Sequence, residues 1–270
     1  MTDQARVNVQ IQDSIAHVAL NRPDVHNGLD WEMFQELIAT AKSLRKNPAV
    51  RAVILSGNGP SFCAGLDLKS VQKQPSVMAK LMLKWPWQTA NIAQRIALVW
   101  QELPIPVIAA VHGNCFGGGL QIAACCDFRF STPDAKWSVM EARWGLVPDM
   151  SGTLALRQLV RHDVALELSM TGRVIDAQEA HALGLVSHLS DEPLQSAQKL
   201  AEELIQQSPD ALAGTKLLFR KNWTSSRWMA LCWERWTQFR LLSGKNQRIA
   251  VRNGNNKDSN FPFKNRSRWW

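Results

Sequence analysis

The sequence predicts an α/β fold with strands covered on both faces. Two observations carry this. Short, wholly apolar runs such as Ala52–Leu55 and Val107–Val111 read as strands buried on both sides. Between them lie segments whose apolar residues recur at helical spacing. The chain has 270 residues and is 46% apolar, enough to bury one large core.

In order along the chain, Val7–Gln12 and Ile15–Leu20 predict a hairpin turning at Asp13-Ser14. Asn21-Arg22-Pro23-Asp24 breaks the pattern. Asp30 is placed to N-cap a helix whose apolar face is Trp31, Phe34, Leu37, Ile38, Ala41 and Leu44, with Pro48 past its end. Ala52–Leu55 stops at Ser56-Gly57-Asn58-Gly59-Pro60, and Val107–Val111 stops at His112-Gly113. Phe128–Phe130 is a third strand. Asp176 through Glu179 reads as a capping box, with Gly184 as the stop. Pro193–Gln207, Asp210–Lys221 and Trp223–Leu242 predict three further helices. Trp228, Leu231, Trp236 and Phe239 line one side of the last, more aromatic surface than a solvent-facing helix needs. After Gly244 the polar composition predicts a loosely ordered tail.

Composition excludes several classes. No run of 18 apolar residues is present, so no membrane span is expected. Met1 to Arg6 carries no apolar signal segment. The five cysteines fit neither a disulfide framework nor a zinc site, and a reducing, cytoplasmic setting is expected. The six histidines show no metal spacing, so no metal is expected. Charge is uneven: Lys216 to Trp270 sums to +11 and the remainder to −3. The acidic body argues against a protein built wholly for nucleic acid. The basic end suits a polyanion, coenzyme A phosphates or RNA, or else is a solvated face.

Three segments carry chemistry. In Val107–Ala124 a strand runs into Gly117-Gly118-Gly119 and a helix. Three glycines let backbone approach a ligand, and the helix start aims free N–H groups at it, a place for an anionic oxygen. Ser61–Leu68 is a small-residue loop after a strand, weak alone. In Trp137–Thr153 two acids, Glu141 and Asp149, flank an apolar stretch. A carboxylate in apolar surroundings has a raised pKa and exchanges protons near neutrality. Asp149 also stands where it would cap a helix from Ser151. His112 reads as a backbone-satisfied residue at a strand end.

Together these segments resemble the crotonase (enoyl-CoA hydratase/isomerase) superfamily, colinearly from about Val9 to Leu189. The matching motifs are Asn21-Arg22-Pro23, Ser61–Leu68, Gly117-Gly118-Gly119 with Cys126-Asp127, and Glu141 through Thr153. The resemblance implies an α/β spiral of ββα turns, residues 1–200 as the core and 201–270 as a helical trimerisation region with a basic tail. It implies a homo-oligomer, a trimer or a dimer of trimers. It implies an acyl-CoA substrate, no cofactor beyond the coenzyme A of that substrate, and no metal. The oxyanion donors would be the N–H groups of Leu66 and Gly118. Arg22, Ala64, Asp67, Leu68, Gly117 and Gln121 would line the substrate site.

Hydratases of this family use two glutamates, and the first of those positions is Gln121 here. A glutamine neither takes nor gives a proton at useful pH. Dienoyl-CoA isomerases carry acids at the two positions of Glu141 and Asp149, although they also carry an acid where Gln121 stands. The 4-chlorobenzoyl-CoA dehalogenases share an acid at 149 but not at 141. The resemblance therefore implies isomerisation of a 3,5-dienoyl to a 2,4-dienoyl thioester, with hydration of a 2-enoyl-CoA as the alternative. An RNA-binding relative with secondary catalysis is the alternative from another class.

Overall fold

The computed structural model describes residues 5–72, 75–255, 261–267 and 270. Its strands are β1 (Val7–Gln12), β2 (Ile15–Leu20), β3 (Ala52–Gly57), β4 (Val107–Val111), β5 (Asn114–Phe116), β6 (Phe128–Ser131), β7 (Lys136–Ser138), β8 (Ile175–Asp176) and β9 (His188–Leu189). The helices of the first half are α1 (Trp31–Lys46), α2 (Leu68–Gln72), α3 (Pro75–Met82), α4 (Ile92–Gln101) and α5 (Gly118–Ala124). Those of the second half are α6 (Gly152–Leu159), α7 (His162–Thr171), α8 (Ala177–Ala182), α9 (Pro193–Ile205), α10 (Pro209–Asn222), α11 (Arg227–Leu242) and α12 (Lys245–Asn255).

β1 and β2 form the expected hairpin, with Gln12 opposite Ile15. Asp13 and Ser14 both have positive φ, the backbone that matches a two-residue turn to strand twist. The six-stranded sheet has the order β1-β2-β3-β4-β6-β9, and every pairing after the hairpin is parallel. Strand alternation builds two cores. Val53, Leu55, Val107, Ala109 and Val111 point into the larger one, under α1, α4 and α5. Ala52, Ile54, Ile108 and Ala110 point to the other side, where Ala197 and Ala201 of α9 let the helix sit close. Residue 201, where the helical region was expected to begin, falls inside α9.

The second sheet, β5-β7-β8, lies beyond the ends of the first. β4 runs in one sheet, β5 in the other, and α5 follows, which is the ββα turn the resemblance implied. The joint is Gly113, where an added Cβ would stand 2.1 Å from the Pro60 carbonyl oxygen. α1 begins as expected, with the Asp30 carboxylate accepting from the Met33 N–H at 2.9 Å.

Two expectations need correction. The helix read as Trp223–Leu242 starts later, at Arg227: α10 ends at Asn222, and Ser226 caps α11 by accepting from the Met229 N–H. The polar segment after Gly244 is not loose either, because Lys245–Asn255 is helical. Its Asn246 is buried, donates to Asp210 Oδ2 at 2.8 Å and to the Lys264 carbonyl at 3.2 Å, and accepts from the Lys264 N–H. The Asn246 amide is thus paired within the protein at both ends. Among the described residues no helix is long and apolar enough to cross a membrane.

On α11 the aromatic face is bare: Trp228 is 71% exposed and Phe239 66%. Contiguous apolar surface of this kind drives association. Sedimentation should give a species several times the protomer's mass, and Trp228→Ser with Phe239→Ser should move it towards monomer. A stable wild-type monomer at micromolar concentration contradicts this.

Candidate active site

The parallel strands β3 and β4 end on the same side, and their following loops meet there. The loop after β3 runs beside β5: the Cys63 N–H donates to the Asn114 carbonyl, and the Phe116 N–H donates to the Cys63 carbonyl. Gly65 and Gly117 bring the two backbones together. A Cβ on Gly65 would meet the Phe116 oxygen at 2.8 Å and the Gly118 nitrogen at 3.4 Å. Gly117 has φ 49° and ψ −118°, a conformation for which glycine is suited. Gly119 has no room for a side chain either, since a Cβ there would lie 2.5 Å from the Cys63 oxygen.

Gly118 is the first residue of α5, so its N–H has no intrahelical acceptor. The Leu66 N–H likewise donates to no backbone carbonyl among the described residues. Leu66 and Gly118, the two positions for which the resemblance implied oxyanion donors, thus lie on touching loops.

Beside them lies a small cavity of about 70 Å³, lined by Ala64, Gly65, Leu66, Leu68, Gly117, Met140, Glu141, Trp144, Leu146, Asp149 and Met150. Both acids of the third segment therefore face the same space. Glu141 is 9% exposed. Its Oε1 accepts from Gln121 Nε2 at 2.5 Å, and its Oε2 is buried without a partner among the described residues. Burial pushes its carboxyl above the usual range, with a further push from Asp149, against the pull of the Gln121 amide. Asp149 is half-buried, and burial raises its carboxyl too. It makes no cap: α6 starts at Gly152, with Ser151 at the N-cap position and no side-chain capping bond.

Gln121 does not line the cavity as expected. It is fully buried behind Glu141, where its Oε1 accepts from the N–H groups of Met150 and Gly152, both at 2.8 Å. These two donors fix which end of the amide is oxygen, so Nε2 must face Glu141. Gly152 makes room for this, since a Cβ there would meet Gln121 Oε1 at 2.6 Å. Neither bond was legible in the sequence, although the glutamine in an acid's place marked the position.

Arg22 and Asp67 also lie outside the cavity. Arg22 pairs with Asp67 Oδ2 and Asp30 Oδ2, both at 3.2 Å, and donates to the Gly28 carbonyl. The pair ties the first loop to the start of α1. His112 Nε2 sits 2.8 Å from the Gly59 oxygen, the backbone-satisfied position expected. Met140, Trp144, Leu146 and Met150 were not singled out, yet they supply the apolar wall, and their signal was the apolar stretch between the acids. The described residues contain no group of three or more side chains fit to hold a metal.

A family model described as enoyl-CoA hydratase/isomerase matches residues 10–248. A putative enoyl-CoA hydratase/isomerase of Bacillus subtilis is 34% identical over 212 residues, covering 77% of this chain and 79% of that one. The mitochondrial Δ(3,5)-Δ(2,4)-dienoyl-CoA isomerase of Mus musculus is 33% identical over 214 residues, 76% of this chain and 65% of its own length. The crystal structure of an enoyl-CoA hydratase from Bacillus anthracis superposes with a TM-score of 0.88 at 26% identity, covering 96% of this chain and 99% of that one.

Two acids with raised pKa values make the site a stability cost at neutral pH. An acid whose native pKa is raised favours folding most below its unfolded pKa and loses that contribution as pH rises through the native value. Glu141→Gln should therefore raise the melting temperature at pH 7, and the gain should vanish below pH 4. Thermal unfolding across that range checks it, and an equal or lower melting temperature at pH 7 contradicts the burial.

Proposed function

The chain belongs to the enoyl-CoA hydratase/isomerase family, and from that premise we propose that it isomerises an unsaturated acyl-CoA, converting a 3,5-dienoyl into a 2,4-dienoyl thioester. The observation that carries the reading is the pairing of acids. Glu141 and Asp149 line one cavity, while position 121 holds a neutral amide bonded directly to Glu141.

In this reading the thioester oxygen lies against the N–H groups of Leu66 and Gly118. The C–H bond beside the carbonyl breaks, its proton passes to one carboxylate, and its electron pair spreads through the diene onto that oxygen. Fixed backbone donors stabilise the charge without reorganising. The other carboxyl, protonated, gives its proton to the far end of the conjugated system. The double bonds move, and the formula is unchanged. The two carboxyls then regain their starting states by exchanging a proton with solvent or each other. Raised pKa values suit the task, since the donor must hold a proton near neutrality that an ordinary carboxyl has lost. Glu141 Oε2 is the free oxygen, because Oε1 is held by Gln121. The mouth carries exposed Trp144, Leu146 and Val147, apolar surface for the acyl chain.

Hydration fits the geometry less well. It needs a water held between two carboxyls, but Gln121 and Glu141 are in direct contact at 2.5 Å. Gln121 is also neutral and is oriented by two backbone donors.

Asp149→Asn should lower turnover of a 3,5-dienoyl-CoA by roughly 10²–10⁴, the usual worth of a general acid or base, with acyl-CoA affinity kept. Glu141→Gln should be as damaging. Product mass and absorbance on 2-enoyl, 3-enoyl and 3,5-dienoyl thioesters read the reaction. A fully active Asp149→Asn protein, or water addition as the main reaction, overturns the isomerase.

A further inference from the structure

At the far end of α5 lies a second cavity, unrelated to the proton-transfer groups. α5 points its first residue, Gly118, at the Glu141 cavity. Its last residue, Ala124, and the following Cys125, Cys126 and Asp127 line another of about 530 Å³. Seven residues at 1.5 Å each put about 10 Å between the two ends. A volume of that size lies in the roughly 300–1,000 Å³ range of small-molecule sites.

The walls are apolar: Phe128, Leu159, Leu204, Leu212, Phe219 and Trp223. Two cations stand at one end, Lys216 and Arg220, and they differ in state. Lys216 is spent, donating to the carbonyls of Trp100 at 3.1 Å and Ile105 at 3.0 Å and pairing with Asp127 at 2.6 Å. Arg220 makes no hydrogen bond or close ion pair among the described residues. Burial lowers its pKa, so its charge is held at a cost. The nearest acids are engaged: Glu102 pairs with Arg95 at 2.9 Å, and Asp127 with Lys216.

Arg220 also lines an adjoining cavity of about 240 Å³, which is cationic. Arg45 and Arg240 share that wall, and Glu102 is its one acid. Arg240 lies over the Trp236 ring at 4.3 Å. The two cavities meet at Gln101, Lys216 and Arg220. An apolar chamber thus opens onto a positive one at a guanidinium that, among the described residues, feels the charge of Glu102 and Asp127 but bonds to neither.

We propose that this pair of cavities is a ligand site for an anionic amphiphile, a fatty carboxylate, with its chain against Leu212 and Phe219 and its carboxylate on Arg220. Charge complementarity selects the head group, since the adjoining chamber carries three arginines against one acid. A planar guanidinium holds a carboxylate with two parallel bonds. The apolar walls select the tail. The site is separate from the Glu141 cavity and stands whichever reaction that cavity performs.

Calorimetric titration with dodecanoate, and with dodecan-1-ol as its uncharged counterpart, tests this on the full chain. Dodecanoate should bind once per protomer without displacing an acyl-CoA. Arg220→Gln should weaken dodecanoate by roughly ten- to a hundredfold, the worth of losing a charge-assisted carboxylate contact, and leave dodecan-1-ol unchanged. Leu212→Trp should fill the chamber and abolish binding of both, with circular dichroism and acyl-CoA turnover kept. Competition between dodecanoate and acyl-CoA would place the ligand in the Glu141 cavity and overturn the proposal. So would undiminished binding to Leu212→Trp, or a smaller assembly in that variant by sedimentation, which would make the chamber a contact between protomers.

Discussion

The Gln121 side chain is bonded at both ends of its amide, and the candidate site is arranged around those bonds. Its oxygen takes the N–H groups of Met150 and Gly152, and its nitrogen is left to face Glu141. One buried side chain thereby joins α5, the Glu141 segment and the turn that carries Asp149. A buried amide with either end unpaired would cost roughly 1–3 kcal/mol, so the arrangement tolerates no flip. The glycines follow from the same constraint. Gly152 admits the amide, and Gly117 admits the Glu141 carboxyl at 3.3 Å from where a Cβ would stand.

This clamp has an electrostatic consequence. A lone carboxyl at the position of Glu141 pays for burial with a raised pKa, and the Gln121 amide offsets part of that by bonding the charged form. Only one oxygen is so held. The other is buried with no partner among the described residues, in a residue that lines the cavity. The sheet makes such a site tolerable. Parallel strands buried on both faces, with α9 on one side and α1, α4 and α5 on the other, supply the apolar burial that outweighs two uncomfortable acids.

How much of this was legible depended on whether the signal was local. The β1–β2 hairpin showed in its alternation and turn, and α1 showed in its cap and its apolar stripe. The glycine turn and the two acids showed as chemistry because few structural roles need those residues there. The role of Gln121 did not show. The sequence recorded a missing acid, whereas the structure shows an amide whose partners come from 20 to 31 residues away. Arg22 and Asp67 were placed at the substrate site by the resemblance alone, and the sequence could not say that they pair with each other. α12 was read as a tail for a related reason. Polar residues look solvated until Asn246 is seen buried against Asp210 and Lys264.

The most direct measurement on the clamp is the pH–rate profile of Gln121→Glu beside that of the wild type. The new carboxylate would keep the Met150 and Gly152 donors on one oxygen and set the other against Glu141 Oε1. Two carboxyls in that contact cannot both ionise readily, and they would share a proton. The account predicts that the acidic limb of kcat/KM moves to higher pH and that no hydratase activity appears. An unchanged limb, or efficient addition of water to a 2-enoyl-CoA, would contradict it.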